Sequence, residues 1–198
     1  MKFYPIILIV SIIVLGGCGA NYIENNKEGD NMNPIAVFDT SMGEFKIELF
    51  EDKSPITAGN FKKLVQEGFY DGTKFHRIIK GFMNQGGDPL TNDNSQQARW
   101  GTGSPGYAIK DEFIEGLSNT RGTISMANSG PNSGGSQFFL NVGDNSRLDW
   151  DKPPAQSKHP VFGKVTAGMD VVDSINRVQT VPGDRPLEEV VVNRIIIE

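Results

Sequence analysis

"FHRIIKGFMNQGGD", residues 75–88, poses the chain's central problem. Phe75, Ile78, Ile79, Phe82, Met83 and, loosely, His76 belong inside a protein, and the run reads as a strand. Set among them are a guanidinium, Arg77, and an amide, Gln85. The nearest acid in the stretch, Asp88, stands at its far end. Burying a charge without a partner is costly. Either the fold supplies a carboxylate from elsewhere, or the arginine faces a pocket meant for a ligand.

The flanking sequence reads as a β-rich domain. "IAVFDT" and "GEFKIELF" form a hairpin in which Phe45, Ile47 and Leu49 alternate with Lys46 and Glu48, the period of a half-buried strand. "SPITAGNFKKLVQEG" is helical: Ser54 is placed to cap it, Pro55 fits its first turn, and Gly68 follows its end. Ala58, Phe61, Leu64 and Val65 make its apolar face. "GTISMA", "SQFFLNV" and "HPVFGKV" read as short strands, and "GMDVVDSINRV" as a second helix. "VVVNRIII" is apolar enough to be buried on both sides or to close a sheet. Many strands with two separated helices imply a mainly β fold, a closed barrel with helices over its ends. Two stretches, 88–113 and 147–160, lack a regular pattern. Long loops of this kind usually carry or support function.

The chain has 198 residues, enough for one domain and extras. Residues 1–17 read as a signal peptide: Lys2, then an apolar run from Phe3 to Gly17, shorter than the ~20 residues a spanning helix needs. The run ends in Leu15-Gly16-Gly17-Cys18, similar to a lipobox, which would make Cys18 the lipidated first residue of the mature chain. A short uncleaved anchor is the alternative. Both place the domain on the outer side of the cytoplasmic membrane and attached to it. Residues 18–34, polar and rich in Asn and Gly, read as a flexible tether, with the domain spanning 35–198. Cys18 is the only cysteine, so disulfides and cysteine–metal sites are excluded, and with two histidines a histidine-rich metal site is not expected. The net charge of −5 and the lack of a basic run argue against nucleic acid as a partner.

Three blocks in order carry a family resemblance. "FHRIIKGFMNQGGD" resembles the signature of cyclophilin-type peptidyl-prolyl isomerases. "GTISMANSGPNSGGSQFFLNV", 122–142, and "HPVFGKV", 159–165, resemble the second and third blocks. The resemblance covers roughly residues 34–198. It implies a closed eight-stranded antiparallel β-barrel capped by two α-helices, isomerase activity without cofactor or metal, and proline-containing polypeptides as partners.

The implied chemistry gives the arginine a reason. An X–Pro bond prefers trans by only ~0.5–1 kcal/mol, but amide resonance raises a barrier of ~18–20 kcal/mol. In the twisted transition state the prolyl nitrogen regains its lone pair. A donor aimed there binds the twisted form better than either planar one. The resemblance makes Arg77 that donor, held by Gln85, and groups Phe82 and His159 with them as catalytic residues. It assigns the proline pocket to Phe82, Met83, Phe139, Leu148 and His159, with the His159 tip meeting a substrate carbonyl. Ala127 and Asn128 would grip the substrate backbone as an added strand does, and Gln137 would line the far side of the cleft. Of the adjacent Phe138 and Phe139, one faces the core and the other the cleft. His76 points away from Arg77 and reads as structural.

Two departures from the family pattern stand out. Arg147 occupies the slot that is typically Trp in cyclosporin-sensitive members, which speaks against cyclosporin binding; Trp150 lies close by. The link "LDWDKPPAQSKH" before His159 is longer than in better-known forms. A monomeric isomerase assisting folding outside the membrane is the first reading. A proline-binding or holdase module on the same fold is the second, and an unrelated β-barrel binding domain the third.

Overall fold

A computed structural model describes residues 33–153 and 158–198. The leader, Cys18 and nearly all of the tether lie outside the described residues, as does 154–157 of the long link. The strands are β1 (Ile35–Thr40), β2 (Gly43–Leu49), β3 (Arg77–Ile79), β4 (Met83–Gly86), β5 (Thr123–Met126), β6 (Phe138–Asn141), β7 (Val161–Ala167) and β8 (Val192–Ile197). The helices are α1 (Pro55–Gln66) and α2 (Met169–Asn176). Short 3-10 helices occupy Pro89–Asn92, Asn94–Arg99 and Ser146–Leu148. No helix among the described residues is long and apolar enough to cross a membrane.

The eight strands form one antiparallel sheet in the order β3-β4-β6-β5-β7-β2-β1-β8. It curls into a half-barrel, and the expected closure is corrected: the end strands β3 and β8 share no ladder. The segment ahead of β3 bridges the gap, where the Gly72 N–H donates to Val192 O, the Val192 N–H to Thr73 O and the Phe75 N–H to Val190 O. The strand β8 is therefore an edge strand. Val192 and Ile195 turn inward while Asn193, Arg194 and Ile196 are exposed, so it is not buried on both sides.

Residues 75–88 do not form one strand. The chain reverses at Lys80-Gly81-Phe82, and β3 and β4 pair as a hairpin with Arg77 opposite Gln85 and Ile79 opposite Met83. Glycine is required next to it at Gly87, where φ is 82° and a Cβ would lie 2.5 Å from Ser136 O. Asn176 of α2, buried, pins the hairpin. Its amide donates to Asn84 Oδ1 (2.7 Å) and Ile79 O (3.0 Å), and its oxygen accepts from the Gly81 N–H (2.8 Å).

The core lies inside the curl and is built from rings. Phe38, Phe45, Phe61, Tyr70, Phe138 and Phe162 touch one another, with Phe38 stacked on Phe45 at 4.5 Å. The α1 helix buries the expected face, Ala58, Phe61, Leu64 and Val65, against them. Its cap differs from expectation. The buried Ser54 hydroxyl donates to Val161 O instead of capping. The Glu112 carboxylate, 55 residues away from Thr57, accepts from the Ile56 and Thr57 N–H groups. A carboxylate suits the positive end of the helix.

Candidate active site

The strands bring nearly every expected site residue to one place. Arg77 (β3), Phe82 (the hairpin turn), Met83 and Gln85 (β4), Ala127 and Asn128 (after β5), Phe139 (β6), Leu148 (a 3-10 turn) and His159 (before β7) line one cavity of about 300 Å³. Gln137 lines the adjoining cavity of about 380 Å³ together with Gln85, Ala127 and Asn128, so the two form neighbouring halves of one cleft. Alternation explains the convergence. Met83 and Gln85 face the cavity, while Asn84 between them is buried and bonded to Val172 O. Phe138 joins the core, and Phe139 forms a separate apolar cluster with Met83 and Leu148.

Arg77 is not buried among apolar side chains. It stands at the rim, 46% exposed, and its Nε lies 3.4 Å from Asp184 Oδ2. The fold thus answers both halves of the sequence question, supplying a carboxylate and a pocket. Gln85 does not hold Arg77 by a hydrogen bond. Its Nε2 donates to Gln137 Oε1 (3.0 Å), while Gln137 Nε2 donates to Gly101 O (3.0 Å) and Gly103 O (2.8 Å). An amide nitrogen is donor only. The two loop carbonyls therefore set the Gln137 orientation, and that in turn leaves Gln85 Oε1 free for the cleft.

The 101–103 loop is anchored by Asp88. This fully buried carboxylate accepts from the Leu90, Gly101 and Gly103 N–H groups. Any side chain at Gly103 would collide with it. Asp88 therefore acts on the cleft through the loop and two glutamines, the support role foreseen for the irregular 88–113 stretch.

His159 stands edge-on to Phe139, with ring centroids 5.2 Å apart at 84°. Its Nδ1 lies 3.1 Å from Met126 O. A carbonyl only accepts, so Nδ1 carries the proton. Burial, the main cause, holds the His159 pKa below the usual histidine value, against the opposing effects of the Met126 carbonyl and Asp111. In the neutral ring Nε2 is then an acceptor, which suits a substrate N–H. Donation to a carbonyl would need the protonated ring.

The backbone grip is half used. The Ala127 N–H donates to Gln137 O (3.0 Å). The Asn128 backbone N–H and C=O have no hydrogen-bond partner among the described residues. The Asn128 side chain donates to Lys158 O (2.7 Å), tying the end of the long link to the cleft. Arg147 lies over Phe82, its guanidinium carbon 4.7 Å from the ring centroid, whereas Trp150 is exposed and does not line the cavity. His76 is buried and lines neither half of the cleft, and neither ring nitrogen is hydrogen-bonded among the described residues.

Several residues escape a reading of the sequence. Asn119 accepts from the Ser125 hydroxyl and donates to Asp149 Oδ1 and His159 O. Asn145 donates to Phe82 O and Asn141 Oδ1. These buried amides set the height of the apolar floor, and no local pattern marks them. The "PGD" turn at 182–184 is a visible signal, but nothing in it points to Arg77, 107 positions away. Among the described residues no group of three or more His, Cys, Asp or Glu side chains could hold a metal ion.

A curled antiparallel sheet with a donor-rimmed apolar cleft on its outer side defines a class, and comparison with known proteins gives its name. Residues 35–197 match the family model described as cyclophilin type peptidyl-prolyl cis-trans isomerase/CLD. A peptidyl-prolyl cis-trans isomerase of Arabidopsis thaliana is 44% identical over 159 residues, 80% of this chain and 92% of that one. One from Acinetobacter baylyi is 46% identical over 149 residues, 75% of this chain and 74% of that one. The crystal structure of a Cryptosporidium parvum cyclophilin, determined in the presence of the dipeptide Ala-Pro, superposes with a TM-score of 0.72 at 30% identity, covering 83% of this chain and 98% of that one. The chain belongs to the cyclophilin-type peptidyl-prolyl cis-trans isomerases, and it is an isomerase enzyme.

Proposed function

We propose that this isomerase acts on proline-containing polypeptides folding outside the cytoplasmic membrane, as a monomer held there by a lipid on Cys18, with Arg77 as the transition-state donor. The convergence of Arg77, Phe82, Met83, Phe139, Leu148 and His159 on one cavity carries the reading of the site. The proline ring enters the apolar floor of Met83, Phe139 and Leu148. Arg77 at the rim meets the prolyl nitrogen as it becomes pyramidal, a contact that strengthens only as the amide twists. Gln85 Oε1 and the Asn128 backbone take the flanking peptide groups. The chemistry needs no nucleophile, because the bond rotates and does not break. Arg147 over Phe82, where an indole would offer a flat apolar face, supports an active site that works without binding cyclosporin tightly.

The test is a cis/trans exchange assay on an Ala-Pro peptide. Arg77→Ala should lose about 2–4 kcal/mol of barrier lowering, the usual cost of removing such a donor, while still binding the peptide. An Arg77→Ala variant with wild-type rate would refute the donor role. Binding by the wild type without acceleration would make the chain a proline-binding module. The anchored location rests on the apolar run ending in Leu15-Gly16-Gly17-Cys18. Cys18→Ser should move the protein from the membrane fraction to the soluble or uncleaved pool, and unchanged fractionation and processing would refute the lipid.

A further inference from the structure

Asp184 is bound to the strand that carries Arg77 in two independent ways. Its backbone carbonyl accepts from the Ile78 N–H at 2.7 Å. Its side chain reaches the neighbouring residue, with Oδ2 3.4 Å from Arg77 Nε. The turn that presents it is internally braced: Val181 N–H donates to Arg185 O, Asp184 N–H donates to Val181 O, and Thr180 pairs with Pro186. Asp184 itself adopts φ 66°, a left-handed conformation that is uncommon outside glycine. Aspartate is among the few side chains that tolerate this conformation, so the turn can present a carboxylate at this position.

Stability is not an adequate use. Both members of the pair are nearly half exposed, 46% and 43%, and exposed pairs of this kind contribute little to stability. The geometry has a directional consequence instead. A guanidinium is planar, with Nε and the two terminal nitrogens in fixed relation. Engaging Nε from the side of the 181–185 turn restricts the plane. The terminal nitrogens Nη1 and Nη2 have no hydrogen-bond partner among the described residues, and Arg77 lines the cavity that holds Phe82, Met83 and Phe139. We infer that Asp184 is a positioning residue for the isomerase reaction: it holds the Arg77 guanidinium plane so that both terminal nitrogens remain available to the twisted prolyl amide. The inference rests on the reading of Arg77 as the donor.

The consequence is kinetic. An unrestrained Arg77 would still reach the substrate, but it would have to be ordered during each turnover, so the loss falls on kcat and not on peptide affinity. Pairing by charge at the surface also makes the restraint sensitive to salt.

The experiment uses the full chain and the Ala-Pro exchange assay. Asp184→Gly keeps the positive φ and the carbonyl that accepts from Ile78, and removes only the carboxylate. Asp184→Asn keeps the shape and an oxygen acceptor but not the charge. Asp184→Gly should lower kcat by about two- to fivefold, the range to which the strength of an exposed pair converts, with KM and Tm unchanged. Asp184→Asn should fall between. Raising the salt should bring the wild type down towards Asp184→Gly and leave that variant flat. In an Arg77→Ala background, Asp184→Gly should have no further effect. Wild-type kcat in Asp184→Gly, or an equal loss with Arg77 already absent, would overturn the inference while leaving a disabled Arg77→Ala, and so the donor role, intact. A fully active Arg77→Ala would overturn both.

Discussion

Phe138 and Phe139 are neighbours in the chain and belong to different parts of the molecule. Phe138 is fully buried among Phe38, Phe61, Tyr70 and Phe75, each ring meeting another at an edge or a face. Phe139 sits on the opposite face of β6 in a small cluster with Met83 and Leu148, bordered by the half-buried Phe82 and Ala127. The interior is closed by its own side chains. The cleft floor is apolar surface that the fold leaves unfilled, and it is kept in shape by polar groups beneath and beside it: Asn119, Asn145, Asp149 and the glutamine pair. One region closes over its own hydrophobic area, and the other leaves part of it lining a cavity.

The comparison can be broken by exchanging sizes. Phe138→Ala should cost about 3–5 kcal/mol in denaturant unfolding, because it opens a void that packed rings cannot collapse into. Phe139→Ala should cost less, about 1.5–3 kcal/mol, the transfer cost of the ring alone, since the space it leaves opens to solvent. The isomerase assay should reverse the order among folded molecules: Phe139→Ala loses most of its activity, and Phe138→Ala retains activity at temperatures where it is folded. Equal effects on stability and activity from both variants would show that the cleft floor is simply more core.

A smaller effect separates the two histidines. Burial, the largest cause in each case, holds the pKa of His76 and of His159 below the ordinary histidine value of 6.5. For His76, Asp88 opposes the shift and Arg77 adds to it; for His159, the Met126 carbonyl and Asp111 oppose it. The unfolded chain then binds protons at a pH where the folded one does not. Their contribution to stability is complete above pH 6.5 and is lost as the pH falls from there through the lowered folded values. Stability measured by denaturant should therefore decline on acidification from neutral pH. His76→Gln should make the decline shallower without changing the peptide rate, whereas His159→Gln should do so and also impair activity. A variant pair with the wild-type pH profile would remove both histidines from the account.

Much of the architecture is legible in the sequence, and particular residues show why. Alternation in "GEFKIELF" places Phe45, Ile47 and Leu49 inward, and they are buried. The helical spacing of Ala58, Phe61, Leu64 and Val65 gives the buried face of α1. Adjacent residues on a strand must face opposite ways, so the division between Phe138 and Phe139 follows from the backbone alone. These are consequences of local geometry, with periods of two and 3.6 residues. The residues that line the cleft are legible for a different reason: three ordered blocks resembling one family bring the set with them.

What local patterns miss depends on contacts far apart in sequence. They make 75–88 one strand, because a reversal at Lys80-Gly81-Phe82 interrupts apolar residues without changing their composition. They suggest a closed barrel, because whether two end strands pair is settled by the curl of the whole sheet. They assign the α1 cap to Ser54, although the carboxylate comes from Glu112. Sequence by itself determined which residues turn inward on each element and, through the ordered blocks, which family and which cleft residues to expect. Only the tertiary structure decided the partners of the polar groups, above all Asp184 for Arg77 and the loop carbonyls for Gln137. A hydrogen bond or ion pair is specific in direction and distance, and nothing in the spacing of residues along the chain encodes where a distant donor will meet its acceptor.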